Sequence, residues 1–221
     1  MFCKSYPLVS IIMNCHNGEA YLKETIDSIL SQSYKNFEVI FWDNKSTDNS
    51  ANIYKSFSDK RLKYYHSNTF TTLYEARNQA IKKSKGKLIA FLDTDDVWDK
   101  HKLYLQIKKF KKKNLGLVYT NYYFLNQNTG IKKLAHKKEL PEGIVFNELM
   151  KDYFIGINTV VLRRNIFVKN KKFFNKKFNI IGDFDLFTSI SKNTYFGAIQ
   201  EPLVTYRIHD KNFSNNNYKM Y

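Results

Sequence analysis

The chain predicts an α/β fold with a mostly parallel central sheet flanked by helices. Two observations carry that prediction. Short continuous apolar runs alternate with segments whose apolar residues recur at helical spacing, the pattern left by strands buried on both faces between crossover helices. Polar residues also gather directly behind those runs, where an open parallel sheet collects its ligands.

Residues 8–13 form the first buried-strand run, followed by a polar turn and by Tyr21, Leu22, Ile26, Ile29 and Leu30 at helical spacing. Residues 37–42 form the second strand; Ser46 is the expected cap of the next helix, with Asp48 in its first turn and Ile53, Tyr54 and Phe57 on its apolar side. Residues 62–66 read as a third strand, 74–83 as its helix closed by Gly86, and 88–92 as a fourth strand. Beyond residue 100 the pattern loosens. Residues 102–113 predict a basic amphipathic helix carrying Leu103, Leu105, Ile107 and Phe110, and 116–125 an aromatic-rich strand. Residues 130–143 read as a polar excursion, 159–162 as a strand, 183–191 as a helix and 198–206 as a last strand broken by Pro202. No repeat, low-complexity linker or composition break interrupts the chain, so residues 1–221 are expected to form a single domain.

Composition narrows the function. With 221 residues, 43% of them hydrophobic, the chain is long enough for one well-packed core. The formal net charge is +16, yet of 36 cationic residues only Arg61, Arg77, Arg163, Arg164 and Arg207 are arginine. Readers of phosphates and base edges favour the guanidinium fork, so dispersed lysine argues against a nucleic-acid partner. The lysines at 108, 109 and 111–113, and those within 169–177, would hold the chain against an anionic membrane at about 1 kcal/mol per well-placed cation; solvated lysine faces are the simpler reading. No apolar run approaches the ~18 residues of a membrane span, and MFCKSYPLVSII enters a strand pattern without a cleavable signal. Cys3 and Cys15 have neither metal-ligand nor disulfide-framework spacing. A cytoplasmic protein is expected.

The segment AFLDTDDVW places Asp93, Asp95 and Asp96 directly behind the fourth strand. Unpaired acids this close repel and raise one another's proton affinity. A hard divalent cation relieves this, since Mn²⁺ or Mg²⁺ takes carboxylate oxygens and shares itself with a diphosphate. The other strand ends contribute Asn14, His16 and Asn17, then Asp43 and Asn44. Cys15 and His16 are adjacent on a strand and face opposite ways, which argues against a thiol–imidazole pair.

Five segments, VSIIMNCHNGEAYLKETIDSILSQSY, VIFWDNKSTDNS, EARNQAIKKSKGKLIAFLDTDD, GDFDLF and PLVTYRIH, resemble in order the successive motifs of family 2 glycosyltransferases of the GT-A fold. The resemblance covers nearly the whole chain. It implies an inverting, metal-dependent transfer of a sugar from a nucleotide diphosphate sugar to a hydroxyl acceptor in bacterial surface polysaccharide or lipopolysaccharide synthesis. Residues 1–98 then form the nucleotide-sugar-binding half and 99–221 the acceptor-side half. By the same resemblance Asp93-Thr94-Asp95 matches the D-x-D motif, with Asp93 and Thr94 at the donor and Asp95 at the metal. Asn14, His16, Asn17 and Glu19, together with Asp43 and Asn44, match positions at the nucleoside, and Arg77 one near the nucleotide. Asp183 falls at the general base, and His209 matches a late histidine at the metal or diphosphate. The implied cofactor is Mn²⁺ or Mg²⁺, and the implied acceptor a glycan or lipid-linked glycan.

The chain departs from the family pattern in two places. Asn44 and Lys45 follow Asp43 where a second acid and a glycine are common, and Gly182 precedes Asp183 where an acid is common, which keeps Asp185 as an alternative base. Plainer readings stand beside the functional ones. Asp96 would serve as a helix N-terminal charge, Asp185 would face solvent, His209 would be an ordinary strand-end histidine, and Arg77 would pair at the surface with Glu75 or Asp59. Two other classes compete. Asp93-x-Asp95-x-Val97, with Gly182-Asp183, also resembles the motifs of haloacid-dehalogenase-type phosphohydrolases, but βα units precede it here, whereas that family carries it on the first strand. A non-enzymatic basic module would leave the acid cluster without a purpose.

Overall fold

The structure is a computed structural model and describes residues 6–111, 114–169 and 173–212. Cys3, Lys112, Lys113 and the lysines at 171 and 172 lie outside the described residues. The first half runs β1 (Val9–Cys15), α1 (Glu19–Leu30), β2 (Phe37–Asp43), α2 (Ser50–Lys55), β3 (Leu62–His66), α3 (Leu73–Lys83) and β4 (Leu88–Phe91). The second runs β5 (Val97–Trp98), α4 (Lys102–Lys109), β6 (Leu115–Asn126), β7 (Lys132–Leu134), α5 (Phe146–Lys151), a 3₁₀ turn (Ile157–Thr159), β8 (Val161–Arg163), α6 (Asn165–Lys169), α7 (Gly182–Ser191) and β9 (Tyr195–Ile208).

Strand alternation builds two apolar layers. Val9, Ile11 and Met13 of β1 and Val39 and Phe41 of β2 pack with Leu22, Ile26 and Ile29 of α1 and Tyr54 of α2. Ile12 and Ile40 face the other way, against Tyr74, Ala80 and Ile81 of α3. The sheet order is β3-β2-β1-β4-β8-β6-β9-β5, with β7 on β6. The first four strands are parallel, as the sequence leads one to expect. Pairing beyond β4 is mixed: β8 is antiparallel to β4 and β6, β9 is parallel to β6, and β5 is antiparallel to β9.

Several local expectations are corrected. The second helix starts at Ser50, after Asn49, and not behind Ser46. The Ser46 N–H donates instead to Asp43 Oδ1 at 2.8 Å, which closes a turn that delays the helix. Pro202 does not break the last strand; β9 passes through it with a bulge, the partners of Thr120 and Asn121 being Ile199 and Pro202. The polar excursion contains β7. Lys102, at the start of the basic amphipathic helix, is fully buried. Its ammonium donates to Gln106 Oε1 at 2.8 Å and lies 4.0 Å from the Trp98 ring centroid. Burial pushes the amine well below the ordinary lysine range. No helix among the described residues is long and apolar enough to cross a membrane.

Candidate active site

The residues after β1, β2 and β4 line one cavity of about 1250 Å³, which α3, β6, the first turn of α7 and the segment after β9 also line. Asn14 is 9% exposed, and neither its Nδ2 nor its Oδ1 has a hydrogen-bond partner. A buried amide with unused capacity on a cavity wall is suited to a polar ligand. His16 is exposed, and its ring lies 4.5 Å from that of Phe70, which is 60% exposed on the same cavity.

Four residues expected at the nucleoside have side chains engaged in holding loops together. Asn17, at φ 56°, accepts the Thr47 N–H at 2.8 Å; asparagine tolerates this left-handed conformation. Glu19 accepts the Asn49 N–H at 2.8 Å and its own N–H donates to Asp48 Oδ2 at 3.0 Å. Asn44 donates to Thr71 O at 2.8 Å and accepts from the Thr71 N–H and O–H at 3.2 and 3.1 Å. Asp43 is buried and is not part of the cavity wall. It accepts the Tyr64 O–H at 2.6 Å and the Ser46 N–H at 2.8 Å. Burial works against the charged form, but these hydrogen bonds outweigh it and hold the Asp43 carboxyl below the usual range.

The acid cluster is organised by two buried arginines. Arg77 of α3 makes no surface pair with Glu75 or Asp59; it is 3% exposed and its Nη2 lies 2.6 Å from Asp93 Oδ1. Asp59 is taken by Arg61 at 2.7 Å. Thr94 O accepts the Thr25 O–H at 2.9 Å. A Cβ on Gly18 would stand 2.6 Å from Thr94 Oγ1, so glycine lets the start of α1 close onto the D-x-D turn. Asp95 Oδ2 lies 3.0 Å from His209 Nε2 and accepts from Asn212 Nδ2 at 3.2 Å. Burial, and then the Asp93 charge, push the Asp95 carboxyl up. Asp96 is neither a helix cap nor a cavity residue: it is fully buried and accepts from the Arg207 N–H and from Asn158 Nδ2. Burial and the charges of Asp95 and Asp93 push it well up. Arg207 then ties the turn together, with Nε donating to Asp95 O at 2.9 Å, Nη2 2.6 Å from Glu24 Oε2 and Nη1 donating to Gln127.

Asp183 lines the cavity from the first turn of α7, whereas Asp185 is exposed and outside it. Tyr153 Oη lies 2.9 Å from Asp183 Oδ2 and Tyr74 Oη 2.9 Å from Asp183 Oδ1. Burial, and then the charge of Asp183, push both phenols up, so each keeps its proton. Gly182 is where the ring of Tyr74 fits: a Cβ there would stand 2.6 Å from two of its ring carbons. Tyr122 and Phe124 of β6 and Tyr206 of β9 add an aromatic wall, the last two being register partners with ring centroids 5.7 Å apart. Among the described residues no cluster of three or more His, Cys, Asp and Glu side chains is arranged for a metal.

Sequence reasoning passed over Tyr74, Tyr153, Phe70 and Arg207. Only Arg207 carried a usable signal, as one of five arginines in a lysine-rich chain and a member of PLVTYRIH.

Comparison with known proteins gives the family and the fold. The model of glycosyl transferase family 2 matches residues 10–187. The chain belongs to that family. It is therefore a glycosyltransferase, which removes the phosphohydrolase and the non-enzymatic module. A family relative, the UDP-Glc:alpha-D-GlcNAc-diphosphoundecaprenol beta-1,3-glucosyltransferase WfgD of Escherichia coli, is 36% identical over 214 residues, covering 96% of this chain and 81% of WfgD. TarS of S. aureus in complex with UDP-GlcNAc has a TM-score of 0.79 at 20% identity, over 94% of this chain and 60% of that one. The mannosyltransferase PcManGT of Pyrobaculum calidifontis, in complex with GDP-Man and Mn²⁺, has a TM-score of 0.69 at 15% identity, over 97% and 61%. The fold is that of GT-A glycosyltransferases, and the chain spans about three fifths of these two solved structures.

Proposed function

We propose that this family 2 glycosyltransferase moves a sugar from a UDP-sugar, with UDP-glucose as the donor to test first, to a hydroxyl of a lipid-linked glycan, inverting the anomeric centre. The reading is supported by one observation above others: Asp183 and the D-x-D acids line one cavity, joined through α3. Tyr74 contacts Asp183, Arg77 lies 5.3 Å from the Tyr74 ring, and Arg77 pairs with Asp93. WfgD, which covers nearly all of this chain, is named for UDP-Glc and a diphosphoundecaprenol-linked acceptor, and that suggests the substrate classes.

On the donor side, residues 1–98, Asn14, His16 with Phe70, Asp93 and Thr94 take the nucleotide, and Arg77 fixes Asp93. Asn17, Glu19, Asp43 and Asn44 shape the loops that carry these groups. Asp95 and His209, 3.0 Å apart, are an oxygen and an imidazole donor. A carboxyl pushed up by burial and by Asp93 is a fitting partner for Mn²⁺ or Mg²⁺, which characteristically takes few protein ligands and completes its shell with phosphate oxygens and water. Bound there, the cation would neutralise charge on the leaving diphosphate. On the acceptor side, residues 99–221, the aromatic wall of Tyr122, Phe124 and Tyr206 faces the incoming sugar. Asp183 removes the acceptor hydroxyl's proton as its oxygen bonds to the anomeric carbon and the bond to the nucleoside diphosphate breaks. Lipid-linked acceptors and soluble donors meet at the cytoplasmic membrane face, which is where the enzyme works in this reading.

Two substitutions test it. Asp95→Ala should abolish the Mn²⁺-dependent rise in melting temperature with UDP. Asp183→Asn should keep that rise and lower turnover by roughly 100-fold or more. Near-wild-type turnover of Asp183→Asn would refute the base assignment.

A further inference from the structure

We infer that Tyr74 and Tyr153 act on Asp183 in opposite senses, Tyr153 holding the carboxylate before the reaction and Tyr74 holding the proton that the carboxylate gains. The inference rests on the reading of Asp183 as the base. Its ground is a count of protons against acceptors. Tyr74 Oη lies 2.6 Å from Ile180 O and 2.9 Å from Asp183 Oδ1, and Tyr153 Oη lies 2.9 Å from Asp183 Oδ2. A carbonyl oxygen and both oxygens of an ionised carboxylate only accept, and a phenol has one proton to donate. With Asp183 ionised, two phenol protons face three acceptors, so one contact is an acceptor against an acceptor. The shorter contact belongs to Ile180 O, which leaves Asp183 Oδ1 facing a lone pair of Tyr74.

A proton arriving at Asp183 Oδ1 resolves the mismatch. The new O–H donates to Tyr74 Oη, the Tyr74 O–H stays on Ile180 O, and the Tyr153 O–H stays on Asp183 Oδ2. All three contacts are then satisfied, and neither phenol has changed its own proton. In the transfer step that proton comes from the acceptor hydroxyl, whose oxygen bonds to the anomeric carbon as the nucleoside diphosphate leaves with the electrons of the broken bond. Tyr74 therefore strengthens the base by stabilising its protonated form, and Tyr153 restrains it by stabilising the ionised form. Both are positioning residues that act through Asp183.

The surroundings leave this pair in control. From α3 Arg77 faces the Tyr74 ring and is already paired with Asp93. Rings of Phe174 and Phe184 pack on Tyr74 and Tyr153 respectively, and Tyr122 is the titratable neighbour of Tyr153 on β6. On α7 itself Asp185 points to solvent. Replacing either tyrosine by phenylalanine keeps the packed ring and removes only the hydroxyl.

The test is the pH profile of kcat/KM for UDP release from UDP-glucose with a GlcNAc-diphospholipid acceptor at fixed saturating Mn²⁺. In Tyr74→Phe the acid limb should move down by about one pH unit, and in Tyr153→Phe up by about one, the scale of one hydrogen bond to a charged group. Limbs that move together, or do not move, overturn the inference. Asp183→Asn separates the two levels of the argument. If it retains turnover, the base reading itself fails; if it is inactive while the limbs stay fixed, only the roles of the tyrosines fail. Each variant must show the wild-type rise in melting temperature with UDP and Mn²⁺. Should one not fold, 3-fluorotyrosine at that position carries the test. A stronger donor at 153 and a weaker acceptor at 74 should both lower the limb, and an unmoved limb refutes the assignment.

Discussion

Replacing Lys102 with methionine should make this enzyme more stable at neutral pH and leave it no more stable at high pH. Lys102 is fully buried, with no carboxylate beside it, and burial pushes its amine well below the ordinary 10.5. The unfolded chain therefore binds a proton that the folded chain resists, so wild-type stability rises with pH until the unfolded amine also loses its proton near that value. Each pH unit is worth about 1.4 kcal/mol, which sets a ceiling of about 5 kcal/mol at pH 7. Two effects reduce the gain. The Trp98 face, 4.0 Å from the ammonium, returns about 1–2 kcal/mol, and methionine leaves Gln106 Oε1 without its 2.8 Å donor, a loss of about 1–3 kcal/mol. The expected net gain is at most about 3 kcal/mol at pH 7, shrinking to nothing or reversing above about pH 10.5. Urea denaturation of both proteins from pH 6 to 11 measures the gap. A variant less stable than wild type at pH 7, or a gap independent of pH, would show that burial of the charge is not what the site resists.

Two further outcomes follow from packing around the cavity. Gly182→Ala drives a Cβ to 2.6 Å from the Tyr74 ring and should lower stability by about 1–3 kcal/mol. Turnover should fall while UDP affinity is retained, and calorimetry showing the affinity lost instead would place Tyr74 in donor binding. Asn44→Ala removes the three hydrogen bonds that hold Thr71 and should cost about 1–3 kcal/mol of stability, along with weaker UDP binding as the Phe70 loop loosens. Unchanged unfolding with lost UDP affinity would mean that the amide reads the nucleotide directly.

The parallel strands and their helices were legible because burial on both faces leaves continuous apolar runs, as in Val9–Cys15, and because helical spacing is local. Strand ends were legible for the same reason, and the structure finds Asp93, Thr94, Asp95, Asn14 and His16, at or just behind those ends, on the cavity wall. The second half was harder. Mixed pairing obeys no single period, and β5, α5 and α6 are too short to show one. Lys102 sits on a helix legible only as basic and amphipathic, since nothing within that helix reveals that Trp98 packs against its ammonium. Ser46 looked like a cap because residue type alone does not say whether an N–H will turn back onto Asp43.

From its order of residues alone this chain determined the alternation of strand and helix, the family resemblance, and the cluster of acids at a ligand-gathering strand end. Tertiary structure decided which polar atoms remain available there. Asn44 meets Thr71 across 27 residues, Tyr153 meets Asp183 across 30 and Tyr74 meets Asp183 across 109. Periodicity is a property of neighbours along the chain, whereas a hydrogen bond is a property of two groups brought within 3 Å by folding. The side chains engaged in the scaffold, and those left for substrate, are therefore distinguished only once the loops are closed.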